Sequence, residues 1–426
     1  MGGMPLLPEP GPIRTLAVAT LVNTIGSGLW MVSSALFLTR SVGLSVAQTG
    51  LALTLVALVS LVSSTPVGYL ADRFGPRGAA IGGLVALGLC EAAMVEVRSM
   101  AGFLLVAAPM AVFDAAQRAA RGAIIGGGVP PDRRVYTRAY LRSVTNVGIT
   151  VGAAVGGVGL TVDTRTAYVC LILADAATYL LAAAVLTRLA PLARAPRAAS
   201  GPRLIALRDR PFLAFVVLDG LLATNFGLLE VALPLWIAER TDAPRWMISV
   251  VFAVNTVTVV LFQVRAARGT DTLAGAARAS RRAGFALLVA CLIFPLTAGT
   301  HDALTIVLLV AAALAHVTAE LWYSAGGWGI SFGLAPDHAH GQYQGTYAMG
   351  HQFGQMIAPA AVTALTLGWG APGWVLLGAA FAAVGCLVPP VVRRAIAHRT
   401  RAPSDHPTAA LDRTEGIPPA AVDTGR

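Results

Sequence analysis

Six ionisable side chains lie inside long apolar runs, where a charge has little reason to be unless it works or is paired. Asp114 and Arg118, in "DAAQRAARG", are four residues apart and share one helix face. His316 and Glu320 have the same spacing. Asp219 and Glu230 are eleven residues apart, close to three helical turns, so the spacing predicts that both face the same way at different depths. Asn23, Ser27 and Trp30 add a polar and aromatic stripe to an earlier run. Burial disfavours the charged form of a carboxyl, so such a group can take up and release a proton as its surroundings change. An imidazole titrates near neutrality and can share that proton. His316 and Glu320 are therefore candidates for a proton site, and the Asp114 carboxyl is another. Asp219 and Glu230 are candidates to bind a cationic substrate, and Asn23, Ser27 and Trp30 are further substrate-site candidates. Glu91 and Asp175 are two further acids in apolar surroundings, expected to pair with polar groups nearby or to sit near an interface. A self-neutralising Asp114–Arg118 pair that only ties helices together is the other reading of that motif.

The elements that must hold these groups are membrane helices. The chain is 56% hydrophobic and only 12% charged, with a mean hydropathy of +0.70. A soluble domain carries about 25% charged residues. Runs of ~20 mostly apolar residues are long enough to cross the hydrocarbon. Twelve such runs are predicted, near 15–38, 46–71, 78–97, 100–125, 136–160, 166–189, 212–238, 246–265, 283–300, 303–327, 343–368 and 372–393. The first is too long for a signal-peptide core and is read as an uncleaved span. The fold class is thus an all-α integral membrane protein of twelve transmembrane helices. Its six-helix halves are 1–189 and 212–394, joined by an Arg- and Pro-rich linker at 190–211. The polar tail, 395–426, lacks an apolar stripe and is expected to be disordered.

All 31 basic residues are arginine, and the net charge is +10. They sort by topology rather than by nucleic-acid affinity. With the N-terminus inside, inner segments hold 23 of the 31 arginines. Outer loops hold five, Arg40, Arg98, Arg165, Arg240 and Arg245. The other three, Arg118, Arg121 and Arg142, lie in or at the ends of helices. Positive residues mark the cytoplasmic side, so both termini are expected in the cytoplasm and the chain in the cell membrane. The four cysteines are isolated and show no metal-ligand or redox spacing. A phosphate-binding loop of the G-x-x-x-x-G-K-[ST] type cannot exist without lysine. No H-E-x-x-H helix is present. No cofactor, metal, nucleic-acid partner or enzymatic activity is implied.

The stretch "VGYLADRFGPRGAA" joins the second and third spans on the inner face. Gly68 permits close backbone approach, and Gly75 with Pro76 reverses the chain. Arg73 and Arg77 suit an anionic inner surface. Asp72 does not, and needs a partner: a nearby arginine or the positive N-terminus of another helix. Read as G-x-L-A-D-R-x-G-x-R, this segment closely resembles the loop motif of the major facilitator superfamily, in pattern and in position. The twelve-span layout extends the resemblance over about 12–394. It implies a gating clasp made by Gly68, Asp72, Arg73, Gly75 and Arg77, and a cavity lined by helices one, four, seven and ten. Arg118 with Gly122 resembles the family's fourth-span R-x-x-x-G, whose arginine is implicated in proton coupling. In "NVGITVGAAVGG", Gly148, Gly152 and Gly156 form a helix-packing face. Their position resembles the antiporter motif of the drug/proton exchange branch, although Gly156-Gly157 stands where that motif has Gly-Pro. "GQYQGTYAMGHQFGQMIAPA" (Gly341–Ala360) opens an unusually polar eleventh span, read as a helix interface, with a cavity wall or a meeting point for Asp72 as its other uses.

The expected function is secondary active transport by alternating access, as proton-coupled efflux of small amphipathic compounds. Proton-coupled or facilitative import of a small metabolite is the alternative. A monomer is the expectation that follows from the family.

Overall fold

The computed structural model describes residues 11–162, 164–190 and 204–401. Twelve long helical elements run through it: α1 Pro12–Leu36, α2 Val46–Phe74, α3 Pro76–Ala93, α4 Met100–Gly128, α5 Pro131–Leu160 and α6 Arg165–Leu186; then α7 Arg210–Arg240, α8 Trp246–Ala266, α9 Leu273–Ile293, α10 Asp302–Gly333, α11 His340–Thr366 and α12 Ala371–Arg401. Large apolar side chains such as Val62, Leu105 and Val158 are exposed on the outside of the bundle. In water this would be costly; against lipid tails it is what a spanning helix needs. Eleven of the twelve are long and apolar enough to span by length and composition. The exception is α11. At 27 residues it is long enough to cross the hydrocarbon, but its glutamines, glycines and histidines lower its hydropathy.

Local chemistry sets the helix ends. Ser45 and Gln48 form a reciprocal capping box at the start of α2. Gly75, at φ 99, ends that helix in a conformation that only glycine adopts without strain, and Pro76 begins the next. Ser99 and Thr164 cap α4 and α6 through their hydroxyls. Asp209 caps α7 by accepting the Phe212 N–H at 3.0 Å. Its other oxygen holds the Tyr343 hydroxyl at 2.7 Å and Arg399 at 2.5 Å. One carboxylate thus ties α7, α11 and α12 together.

Several predicted boundaries are corrected. Helix α9 begins at Leu273, ten residues before the expected start, because Thr272 caps it and Arg278, Arg281 and Arg282 ride on the helix rather than in a loop. Helix α10 runs through Gly326, Gly327, Gly329 and Gly333 to its end. Those glycines are spacers: a Cβ on Gly326 would lie 2.8 Å from the Ala276 carbonyl of α9, and one on Gly329 would lie 2.6 Å from Ala276 Cβ. Helix α12 continues to Arg401, so the start of the expected tail is helical; residues 402–426 lie outside the described residues. Most of the expected linker, 191–203, also lies outside them, and Ile205–Leu207 form a short 3-10 turn before α7. Helix α7 is not continuous: an α-turn at Asn225–Gly227 and a π-segment at Leu228–Ala232 interrupt it.

The twelve helices form two six-helix halves. Within the first half, α1 packs on α5 and α6, and α3 on α4 and α6. The halves meet mainly through α2 with α11 and α5 with α8, with α4–α11 and α5–α10 behind them. Exchanging first-half helices for second-half ones turns the first pair into the second, as a pseudo-twofold axis requires.

Candidate functional site

Asp72 lies near the C-terminal end of α2 and finds its partner on the other half. The N–H groups of Gly341 and Gln342, in the first turn of α11, donate to its two carboxylate oxygens at 2.7 and 2.9 Å. A helix N-terminus presents unpaired donors and a partial positive charge, so a carboxylate there is doubly favoured. Arg73 and Arg77 are not its partners: Arg73 stacks toward Phe74, and Arg77 donates to the Thr187 carbonyl at 2.6 Å. Glycines make the approach possible. A Cβ on Gly341 would lie 2.5 Å from the Gly68 carbonyl and 2.6 Å from Asp72. Further along the same crossing, Thr65 and Thr346 hydroxyls are 3.1 Å apart, and Gln352 reaches Ser60 and Ser64 at 3.4 Å. At this end of the bundle the halves are sealed.

Beyond the seal is a chamber of about 320 Å³ between α4, α5, α10 and α11. Its most prominent feature is four arginines, Arg118 and Arg121 from α4, and Arg138 and Arg142 from α5. Tyr323 and Trp328 of α10, and Tyr347, His351 and Gln352 of α11, complete much of the wall. Arg118 pairs with Asp114 on its own helix and donates to Ser60 of α2 at 2.9 Å. Arg142 pairs with Glu320 across the halves. The second oxygen of Glu320 accepts from Asn255 of α8 at 2.7 Å. A buried carboxylate is tolerable on these terms, since an ion pair and a hydrogen bond replace its lost hydration.

The structure redistributes the residues singled out by sequence. His316 and Glu320 do not form a bonded pair: His316 Nε2 lies 3.0 Å from the Asn225 carbonyl, which also accepts the Leu228 N–H where α7 is interrupted. Asp219 is buried, accepts from the Tyr323 hydroxyl at 2.9 Å, and does not line the chamber. Tyr323 in turn lies 2.8 Å from His351 Nδ1, so a hydrogen-bonded chain joins Asp219 to the chamber wall. Glu230 is exposed and sits in the π-segment; the change of helical period there breaks the predicted common face with Asp219. Asn23, Ser27 and Trp30 are absent from the chamber wall. Asn23 faces a small void inside the first half, beside Gln117 and Arg121. Ser27 bonds back to the Asn23 carbonyl at 3.2 Å. Trp30 packs against an apolar cluster that includes Phe37, Leu38 and Met94. Of the helices expected to line the chamber, four and ten do so, but five and eleven replace one and seven.

Gly148, Gly152 and Gly156 face α1. Side chains there would meet Thr24 and the carbonyls of Leu21 and Ile25, or Val32. Glu91 and Asp175 are both buried within the first half, and Asp175 accepts from the Thr178 hydroxyl at 3.3 Å. Sequence reading passed over Arg121, Arg138 and Asn255 as site residues. The i, i+4 spacing of Arg138 and Arg142 was the available signal for a basic face on α5.

The model of the Major Facilitator Superfamily matches residues 16–335. No curated protein matches the chain. Among solved structures, a bacterial homologue of the iron transporter ferroportin in an outward-facing state is 14% identical, with a TM-score of 0.71. That match covers 90% of this chain and 99% of the other. The human organic anion transporter MFSD10 (TETRAN) is 15% identical, with a TM-score of 0.64 and coverage of 88% and 98%. The E. coli fucose:proton symporter FucP is 13% identical, with a TM-score of 0.67 and coverage of 90% and 98%. At such identities these likenesses concern the fold. The match to three quarters of the chain, on a twelve-helix bundle whose halves close over a central chamber, places this protein in the major facilitator superfamily.

Proposed function

We propose that this protein is a proton-coupled secondary transporter of the cell membrane. In this reading both termini are cytoplasmic and a monomer carries a small solute by alternating access. The bodies that rock are 1–189 and 212–394, and the Asp72 seal is the cytoplasmic gate. The Arg142–Glu320 bridge is the observation that carries the reading. It joins the two halves at the chamber wall, and a proton on Glu320 removes the charge that Arg142 holds. The groups around Glu320 are Arg142 from α5, Asn255 from α8, Glu230 from α7 and His316 from its own helix. Protonation therefore loosens α5 from α10 and frees a guanidinium to face the solute.

The resemblance of the Gly148, Gly152 and Gly156 repeat to the motif of the drug/proton exchange branch supports export of small amphipathic compounds against an inward flow of protons. Gly156-Gly157, in place of Gly-Pro, supports the second reading, entry of a metabolite together with protons. Proteoliposomes with pH gradients of either sign separate the two by the direction of solute accumulation. The coupling residue is tested in the same vesicles with Glu320→Gln. Solute counterflow without a gradient is expected to persist, and pH-driven accumulation to vanish. Full pH-driven accumulation by Glu320→Gln would remove Glu320 as the carrier.

A further inference from the structure

We infer that the chamber binds a small organic oxyanion, a solute with a carboxylate or phosphate group on a partly aromatic or apolar body. This rests on the transport reading for its biological use. The binding itself is a property of the chamber.

The charge balance points there. Four guanidinium groups line the chamber, and among the described residues no Asp or Glu lines it. Two of the four are compensated, Arg118 by Asp114 and Arg142 by Glu320. Among the described residues, Arg121 and Arg138 have no carboxylate partner. The Nε atoms of Arg118, Arg121 and Arg142 are buried without acceptors. Charges within a membrane bundle are costly, and they persist where they pair or line a solute path. An unpaired guanidinium is a fork of donors matched to two oxygens of one carboxylate or phosphate. The rest of the wall suits the body of such a molecule. Trp328 lies under Arg138, with Cζ 6.0 Å from the ring centroid, and Tyr323 and Tyr347 stand nearby. A volume of about 320 Å³ is at the small end of ligand pockets. The cation-binding role expected of Asp219 has no support here, because its carboxylate is turned into the second half and held by Tyr323.

The test uses purified full-length protein in phosphatidylcholine nanodiscs, titrated at constant ionic strength with succinate, phenyl phosphate and benzenesulfonate. Glucose and tetraphenylphosphonium serve as neutral and cationic controls. At least one anion is expected to raise the melting temperature and to saturate, while the controls do not. Arg121→Gln and Arg138→Gln should each weaken that anion by about ten- to hundred-fold, the loss of one charge-assisted contact. Arg138→Lys should retain part of the affinity, which shows that charge and not folding is at issue. Arg240→Gln, outside the chamber, should leave it unchanged. Controls that stabilise as well as the anions, no response to any anion, or affinities unmoved by both glutamine variants would overturn the inference. Stabilisation by added phosphatidylglycerol alone would assign the arginines to a lipid headgroup and equally overturn it. Anion binding without pH-dependent flux in vesicles would instead remove the transport reading and leave the site standing.

Discussion

Replacing Asp72 by Asn tests the gate with almost no change in shape. The carboxylate accepts two N–H donors from the first turn of α11, at 2.7 and 2.9 Å. A hydrogen bond to a charged group contributes about 1.5–3 kcal/mol, and the helix terminus adds roughly 0.3–1 kcal/mol for a partly exposed anion. Asparagine keeps one acceptor but turns an amide N–H₂ toward the second donor and removes the charge. The sealed state should lose about 2 kcal/mol, which is about a 30-fold fall in its weight against the opened state. Thr346 is a suitable reporter because it is buried in the same crossing, with its hydroxyl 3.1 Å from that of Thr65. A single cysteine there, with Cys90, Cys170, Cys291 and Cys386 changed to Ser, should react with a membrane-impermeant maleimide from the Asp72 side. The rate is expected to rise about 30-fold when Asp72→Asn is added. Equal labelling rates with and without the substitution would refute the claim that this carboxylate latches the halves.

Two further substitutions probe the supports. Gly152→Ala places a methyl group against the Ile25 carbonyl and 3.0 Å from Gly28 Cα. The α1–α5 crossing must widen, at about 1–3 kcal/mol, read as a lower melting temperature in detergent. Tyr323→Phe keeps the ring, which packs edge-on to Phe226 with centroids 5.9 Å apart. It deletes the hydroxyl between Asp219 and His351 and leaves a buried carboxylate short of a partner, again at about 1–3 kcal/mol. A melting temperature equal to that of the parent would show that this chain of bonds bears no weight.

The fold was legible because successive runs of membrane length, nearly all strongly apolar, the Gly75–Pro76 reversal and a one-sided distribution of arginine leave few alternatives. That Asp72 needed a partner could be read from its charge at an unfavourable surface. Which partner stays open in the sequence between a nearby arginine and a helix N-terminus, with the polar start of the eleventh span as one possible meeting point; the structure selects that start, 269 positions further along. The chamber was the least legible part. Arg138 was counted with the cytoplasmic charges that orient the chain, but it sits on the chamber side of α5, and composition cannot tell a loop arginine from one in the first turns of a helix. The common face assigned to Asp219 and Glu230 assumed a regular period of 3.6. The interruption of α7 at Asn225–Ala232 invalidates that arithmetic, and apolar residues such as Leu228 and Leu229 give no warning of it.

The low hydropathy of α11 bears on how the molecule is made. A translocon releases a segment sideways into the bilayer when it partitions there unaided, and the glutamines and histidines of His340–Thr366 weigh against that. What this helix needs is protein on both sides: α2 against its first turns, α7 against Gly350 and Gly354, and α12 behind it. Its insertion is therefore completed by assembly, after the first half is in place and as the last helix emerges. A chain truncated before α12 should leave α11 outside the hydrocarbon and exposed to quality-control proteases.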